Sequence, residues 1–124
     1  MSKAQLKSLL TKIDGEEKLK KVLRSFYQEM SQDVLVGFFF SGKDLNAIAH
    51  QQAQFLLFAA GLKSTYLGKT PTHAHLGLPP ISKGQFDRRL EILKQVLEKY
   101  GFEPHEIQTW THFEEAFRNT VVSP

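Results

Sequence analysis

Cysteine is absent from all 124 residues. That absence removes thiolate nucleophiles, iron–sulfur clusters, zinc knuckles and haem attachment through thioethers. It is in keeping with a reducing cytoplasm. Long apolar runs are missing too. The longest, "VLVGFFF" and "LLFAAGL", stop well short of the ~18 residues a membrane span needs. Lysines break up the apolar residues of "MSKAQLKSLLTKID", where a secretory signal needs them continuous. A cytoplasmic protein with no membrane partner is expected. Repeats, low-complexity tracts and Pro/Ser-rich linkers are absent, so residues 1–124 should form a single domain with its own core. Charge of one sign is scarce: the net charge is +3, and Lys and Arg are interleaved with Asp and Glu. Without a phosphate-tracking basic stripe, no nucleic acid is expected as a partner.

Helical periodicity is what the chain does contain, and no clean period-two alternation appears. Leu6, Leu9, Leu10 and Ile13 mark a short first helix that stops near Asp14-Gly15. Leu19, Val22, Leu23, Phe26 and Met30 share one face of a second helix, which fades at "SQD". "FFFSGKD" reads as a turn, with Asp44 the N-cap of a third helix. That helix should turn Leu45, Ile48, Phe55, Leu56 and Ala59 inward and end near Gly61. "KSTYLGKTPT" reads as a loop, and "HAHLGLPPISKG" holds at most a short helix before its prolines. A long helix from Ser82 or Gln85 to Gly101 buries Phe86, Leu90, Leu93, Leu97 and Tyr100. A last one after Pro104 carries Ile107, Trp110, Phe113, Phe117 and Val121. The expected class is all-α.

Polar residues on apolar faces are the informative exceptions. At 100° per residue, Gln52 falls within ~20° of Leu45, inside the inward stripe. A buried amide without a partner costs about 1–3 kcal/mol, so something should answer it. Tyr27 lies at the edge of the second helix's stripe, and its hydroxyl needs a partner as well. Arg89 falls between Phe86 and Val96 on the long helix, where an unpaired guanidinium would be costly. Each also has a plain structural account: a hydroxyl at the surface, a loop carbonyl for the amide, a guanidinium reaching over the core edge. Together they suggest a polar end to an apolar pocket.

"PTHAHLGLPP" places His73 and His75 two apart. On a helix they would point ~200° apart and could not share one ion. His50, His105 and His112 complete no ligand motif. One ring should face inward, and Leu78, three residues on, favours His75. A lone inward histidine is more often a structural hydrogen-bonding residue than a ligand.

With "SFYQEM", "DVLVGFFFSGKD", "HQQAQFLLFAAG", "YLGK" and "HAHLGLPPI" in order, the chain resembles the truncated haemoglobins, and most closely their first group. Phe26-Tyr27, Phe39-Phe40, Gln52, Tyr66-x-Gly68 and His75 fall at the family's intervals, and the match runs from about Ile13 to Gly101. The resemblance implies a two-over-two helical sandwich around a non-covalent haem b, iron protoporphyrin IX. His75 matches the proximal iron ligand. Phe40 matches the phenylalanine packed on the porphyrin, and Tyr27 and Gln52 match the distal pair that hydrogen-bonds a gas on the iron. Ile48, Phe55 and Leu56 match apolar wall positions, and Tyr66 and Lys69 lie where a propionate contact falls. "GLPPI" holds one residue more than the usual first-group stretch, and "LPPI…FDRRL" is similar to the third group, in which a tryptophan commonly takes the place of Arg89. Arg89 itself has three outlets: a propionate, the distal ligand, or solvent.

The function implied is binding of dioxygen, nitric oxide or carbon monoxide at five-coordinate ferrous iron. Nitric oxide dioxygenation, with rereduction by a separate reductase, is the implied reaction. Oxygen transport, storage or sensing would draw on the same site. Two further classes fit the residues. One is a cofactor-free helical interaction module in which Gln52 and Tyr27 satisfy each other. The other is a His-dependent enzyme or mononuclear metal site, which lacks Asp or Glu at ligand spacing. Oligomeric state is not legible.

Overall fold

Helix ends are set by side chains that answer orphan backbone groups. Asp44 accepts from the N–H groups of Asn46 and Ala47 at 3.0 and 3.2 Å. Ser82 and Gln85 cap each other's backbone reciprocally. Gly61 and Gly101, at φ 78° and 84°, supply the left-handed residue that ends a helix. The computed structural model describes residues 3–13, 15–66, 68 and 79–123. Its regular elements are α1 (Lys3–Lys12), α2 (Glu16–Gln32), a 3-10 turn (Gly37–Phe40), α3 (Leu45–Ala59), α4 (Lys83–Lys99), α5 (Pro104–Glu115) and α6 (Arg118–Val121). No strand occurs among the described residues, and none of their helices is long and apolar enough to cross a membrane.

Two helix pairs form the body. α2 packs on α3, α4 packs on α5, and the pairs meet where α2 lies against α4. Phe26, Leu56, Leu93, Leu97 and Trp110 fill the interior. α1 buries Leu6, Leu9 and Leu10 and bridges to α5 and α3. The Lys12 ammonium lies 3.1 Å from Glu106. Glu106 also accepts from the Glu103 N–H at 2.8 Å, and that bond, with Lys12, holds its carboxyl below the ordinary glutamate range.

Two expectations change here. The inward stripe of α3 is rotated toward Ala49, Ala53, Leu56 and Ala60, while Leu45, Ile48, Phe55 and Ala59 are only partly buried. Alanines let α2 and α3 approach closely, and the larger residues beside them are left to line a cavity. The last helix is not continuous. It breaks at Ala116–Phe117, where the Phe117 N–H bonds the Glu114 carbonyl at 3.0 Å. Beyond the break, Arg118 pairs with Asp87 of α4 and lies over the Phe86 ring at 4.6 Å. The Ser123 N–H then reaches the Ile81 carbonyl at 2.9 Å, which folds α6 back onto the start of α4.

The turn between α2 and α3 is held by Asp33. Its carboxylate accepts from the N–H groups of Leu35 and Val36 at 3.0 and 3.3 Å and pairs with Arg88 of α4 at 2.8 Å. Gly37 is required at this turn: a Cβ would stand 2.6 Å from the Ser31 carbonyl oxygen. At the opposite end, Glu16 binds Lys63 at 2.7 Å, the Gln54 amide at 3.0 Å and Lys20 at 3.2 Å. Chiefly through Lys63, and against the opposing effect of burial, its carboxyl is lowered to about 2.

Candidate functional site

Between α2, α3, α4 and the α5–α6 corner lies a cavity of about 320 Å³, within the range of small-molecule sites. Tyr27, Phe40, Ile48, Gln52, Phe55, Tyr66 and Arg89 all line it. Residues 25 positions apart on different helices thus share one space because the α2–α3 seam is tight. Leu56, expected in the wall, is fully buried in the core and does not line the cavity. It belongs to the core cluster with Ala49, Ala53 and Ala60. His73, His75 and Lys69 lie outside the described residues. His50, His105 and His112 are at the surface.

One wall is aromatic. Phe55 sits 5.4 Å from Tyr66, 5.8 Å from Phe117 and 6.2 Å from Phe113, ring centre to ring centre. Tyr27 stands 5.7 Å from Phe40 and 5.0 Å from Phe26. Such pairs add about 0.5–1.5 kcal/mol each beyond their area burial. The opposite end is polar. Gln52 is half-buried, whereas Tyr27 is buried. Burial pushes the Tyr27 phenol above its ordinary range, and the Arg89 charge opposes this only in part.

Arg89 turns inward. Its Nη1 donates to Glu114 Oε2 at 2.6 Å, and its guanidinium lies 5.1 Å from the Phe26 ring centre. The side chains are 20% and 8% exposed. Burial disfavours the guanidinium charge, but Glu114 and Tyr27 more than offset that, and Arg89 stays charged. Arg89 does not take the outward course, and the carboxylate beside it belongs to the protein. The Arg89 charge also acts on the Tyr27 phenol, which lines the same cavity.

Comparison with known proteins identifies the frame around this site. The family model for bacterial-like globins matches residues 8–123. The group 1 truncated haemoglobin of Tetrahymena pyriformis is 32% identical over 101 residues, covering 82% of this chain and 81% of that one. The chain belongs to the truncated haemoglobins. The group 1 protein of Chlamydomonas moewusii is 30% identical over 101 residues, covering 81% of this truncated haemoglobin and 59% of the relative. The solved Fe(III) form of the Tetrahymena pyriformis protein superposes with a TM-score of 0.82 at 28% identity, over 94% of this chain and 98% of that one. The 2/2 haemoglobin of Synechococcus matches the fold with a TM-score of 0.80 at 22% identity, over 92% and 97%. The architecture is thus the two-over-two globin fold, and the family's function is haem-based binding of diatomic gases.

Sequence reasoning missed several residues of this truncated haemoglobin's pocket. Lys43 and Gln51 stand on its wall, and Lys43 is exposed. Phe113 and Phe117 were assigned to core packing, yet they line the cavity. Glu114 was not singled out at all. Its signal was present, because it lies one turn after the fully buried Trp110 on the same helix face.

Proposed function

We propose that this truncated haemoglobin holds haem b non-covalently through His75 and binds dioxygen beneath Tyr27 and Gln52. The observation that carries this reading is the division of one cavity into an aromatic wall and a polar end. A flat apolar ring carrying a small polar ligand on one face is what such a division suits, so the residues present fit the group. The haem supplies a redox-active iron with an open coordination position.

The protein's own contribution follows from its side chains. Phe40, Ile48, Phe55, Phe113 and Phe117 exclude water from the ring faces. Tyr27 and Gln52 offer an O–H and an amide N–H to a ligand in a site of low dielectric, where each bond gains strength. Lys43, exposed on the cavity wall, is a cation available to a propionate; Tyr66 and Lys69 are the candidates the sequence names for the same contact. Solved Tetrahymena pyriformis structures include a tyrosine-to-phenylalanine variant and two glutamine-to-glutamate variants, the glutamines four residues apart. The same two intervals counted from Tyr27 fall on Ile48 and Gln52. This supports Gln52 as a distal donor and makes the Ile48 position apolar in this chain.

Nitric oxide dioxygenation is the reaction proposed for the site. Dioxygen, nitric oxide and one electron give nitrate, and a separate reductase returns the electron. The reading is tested by the optical spectrum of the reduced, haem-loaded protein before and after carbon monoxide, with His75→Ala alongside. A carbonyl complex whose proximal coordination is lost in the variant supports it. No bound haem, or an unaltered spectrum in His75→Ala, removes it. Mixing the oxygenated protein with nitric oxide and measuring nitrate then tests the reaction.

A further inference from the structure

We infer that Arg89 forms an anion subsite in the cavity wall, which takes a small planar oxyanion of the nitrate and nitrite class in competition with the Glu114 carboxylate. Nitrate is the product of the reaction proposed above, so the subsite's place in turnover rests on that reading. Its existence rests on the cavity and the ion pair alone.

Charge stands here where the gases need none. Dioxygen, nitric oxide and carbon monoxide are neutral, yet Arg89 and Glu114 both line the cavity, their side chains largely withdrawn from water. Stability does not account for the pair. Taking two charges out of water is costly, and an apolar pair of similar volume would join α4 to α5 as well or better. What an apolar pair cannot do is hold an anion. Lys43 is the other charged residue on the wall, so among the described residues the wall carries one net positive charge. Low-dielectric surroundings focus that field into the cavity.

Geometry selects the class of anion. Arg89 Nη1 donates to Glu114 Oε2 at 2.6 Å, so the guanidinium already holds a carboxylate oxygen, and this contact is made at a single nitrogen. A guanidinium presents five N–H donors in one rigid plane, a fork that matches two oxygens of a planar anion. Nitrite and nitrate carry two oxygens on one atom, as a carboxylate does. The guanidinium carbon lies over the Phe26 ring at 5.1 Å, a contact that steadies the group. Tyr27 and Gln52 line the same cavity and add neutral donors. Glu114 sets how tightly the subsite holds. Its negative charge stands beside the approach of an incoming anion, so the anion is held weakly and leaves readily.

The test is a nitrate titration of the ferrous, carbon-monoxide-bound protein, which is diamagnetic. It is followed by the nitrogen–proton NMR signal of the Arg89 side chain at constant ionic strength, and loss of the signal in Arg89→Lys assigns it. Nitrate should move the signal saturably, whereas chloride in its place should not. Glu114→Gln removes the competing charge and should tighten nitrate about ten-fold. A merely structural pair predicts the opposite sign, because loosening the guanidinium would weaken any binding there. Other cavity signals should stop responding to nitrate in Arg89→Leu, while Arg89→Lys keeps the charge without the fork and should bind about ten-fold more weakly than the parent. The Lys and Gln variants decide the matter if Arg89→Leu fails to fold. Movement that never saturates, or that chloride reproduces, overturns the subsite, and so does a Glu114→Gln variant that binds nitrate no more tightly than the parent. If nitrate has no effect but Arg89→Leu speeds haem loss, Arg89 serves a haem propionate and the subsite is likewise overturned. If no haem binds, the proposed function fails by itself, and the same titration of the haem-free chain still decides the subsite.

Discussion

Removing the two members of the Arg89–Glu114 pair one at a time should have unequal consequences. Glu114→Leu leaves a guanidinium, 20% exposed, whose charge Glu114 and Tyr27 had supported. Arginine has no neutral form to fall back on in a protein, so the variant must bear an uncompensated charge, at a cost of about 3–5 kcal/mol. Arg89→Met leaves a carboxyl instead, which escapes by taking up a proton and so pays a capped penalty. The double variant Arg89→Met/Glu114→Leu removes both charges and fills similar volume; it should lie within about 1 kcal/mol of the parent. For a chain of this size, a urea slope of about 2 kcal/mol per molar turns a 4 kcal/mol loss into a midpoint shift of about 2 M. Urea unfolding of the haem-free protein, followed by the fluorescence of its one tryptophan, measures all four. Small, equal losses in the single variants that simply add in the double would refute the reasoning, because exposed and interchangeable pairs behave that way.

Other outcomes follow from residues away from the pair. The Glu16 carboxyl is lowered from 4.5 to about 2, so its stabilisation is complete above pH 4.5 and lost as pH falls toward 2. Solvent around it reduces the effect to about 1 kcal/mol, and the stability gap between the parent and Glu16→Gln should close over that window. A gap independent of pH would remove Glu16 as the source. Gly37→Ala should destabilise by about 1–3 kcal/mol and hasten haem loss, because its Cβ meets the Ser31 carbonyl and displaces the turn carrying Phe40. Thermal unfolding and transfer of haem to an acceptor protein measure the two effects. Leu56→Ala should cost about 2–5 kcal/mol of stability, while Ile48→Ala should cost little stability and change ligand rates. Equal stability losses would mean that both residues belong to the core.

Much of this architecture was legible because it rests on short-range chemistry. Asp44 before an apolar run, Ser82 with Gln85 three residues later, and Gly101 after the last periodic residue each mark a helix end by a local rule. The break at Ala116–Phe117 was not legible, since Phe113, Phe117 and Val121 keep helical spacing across it. What bends the chain there is a distant attachment, Arg118 to Asp87 and Ser123 to Ile81. Gln52 stood out because polarity on an apolar face is a local contradiction. The rotation of α3 did not, because periodicity gives the direction of a face only roughly and cannot tell core from cavity wall. Glu114 was hidden by the ordinary expectation that glutamates face water. Its burial makes sense only once Arg89, 25 residues earlier on another helix, is brought opposite it.

The cavity has a temporal consequence as well as a spatial one. Its walls begin at Tyr27 and end at Val121, nearly the whole run of the chain. A ribosome delivers the α2 wall first and the α6 wall last, at about 5–20 residues per second. Until Phe113, Phe117 and Val121 have been made, one side of the pocket does not exist, and a nascent chain has nowhere dry to keep a haem. Cofactor capture therefore waits until Val121 has been made. During the seconds before it, the phenylalanines of the cavity wall are exposed apolar surface, open to whatever chaperone attends the emerging chain.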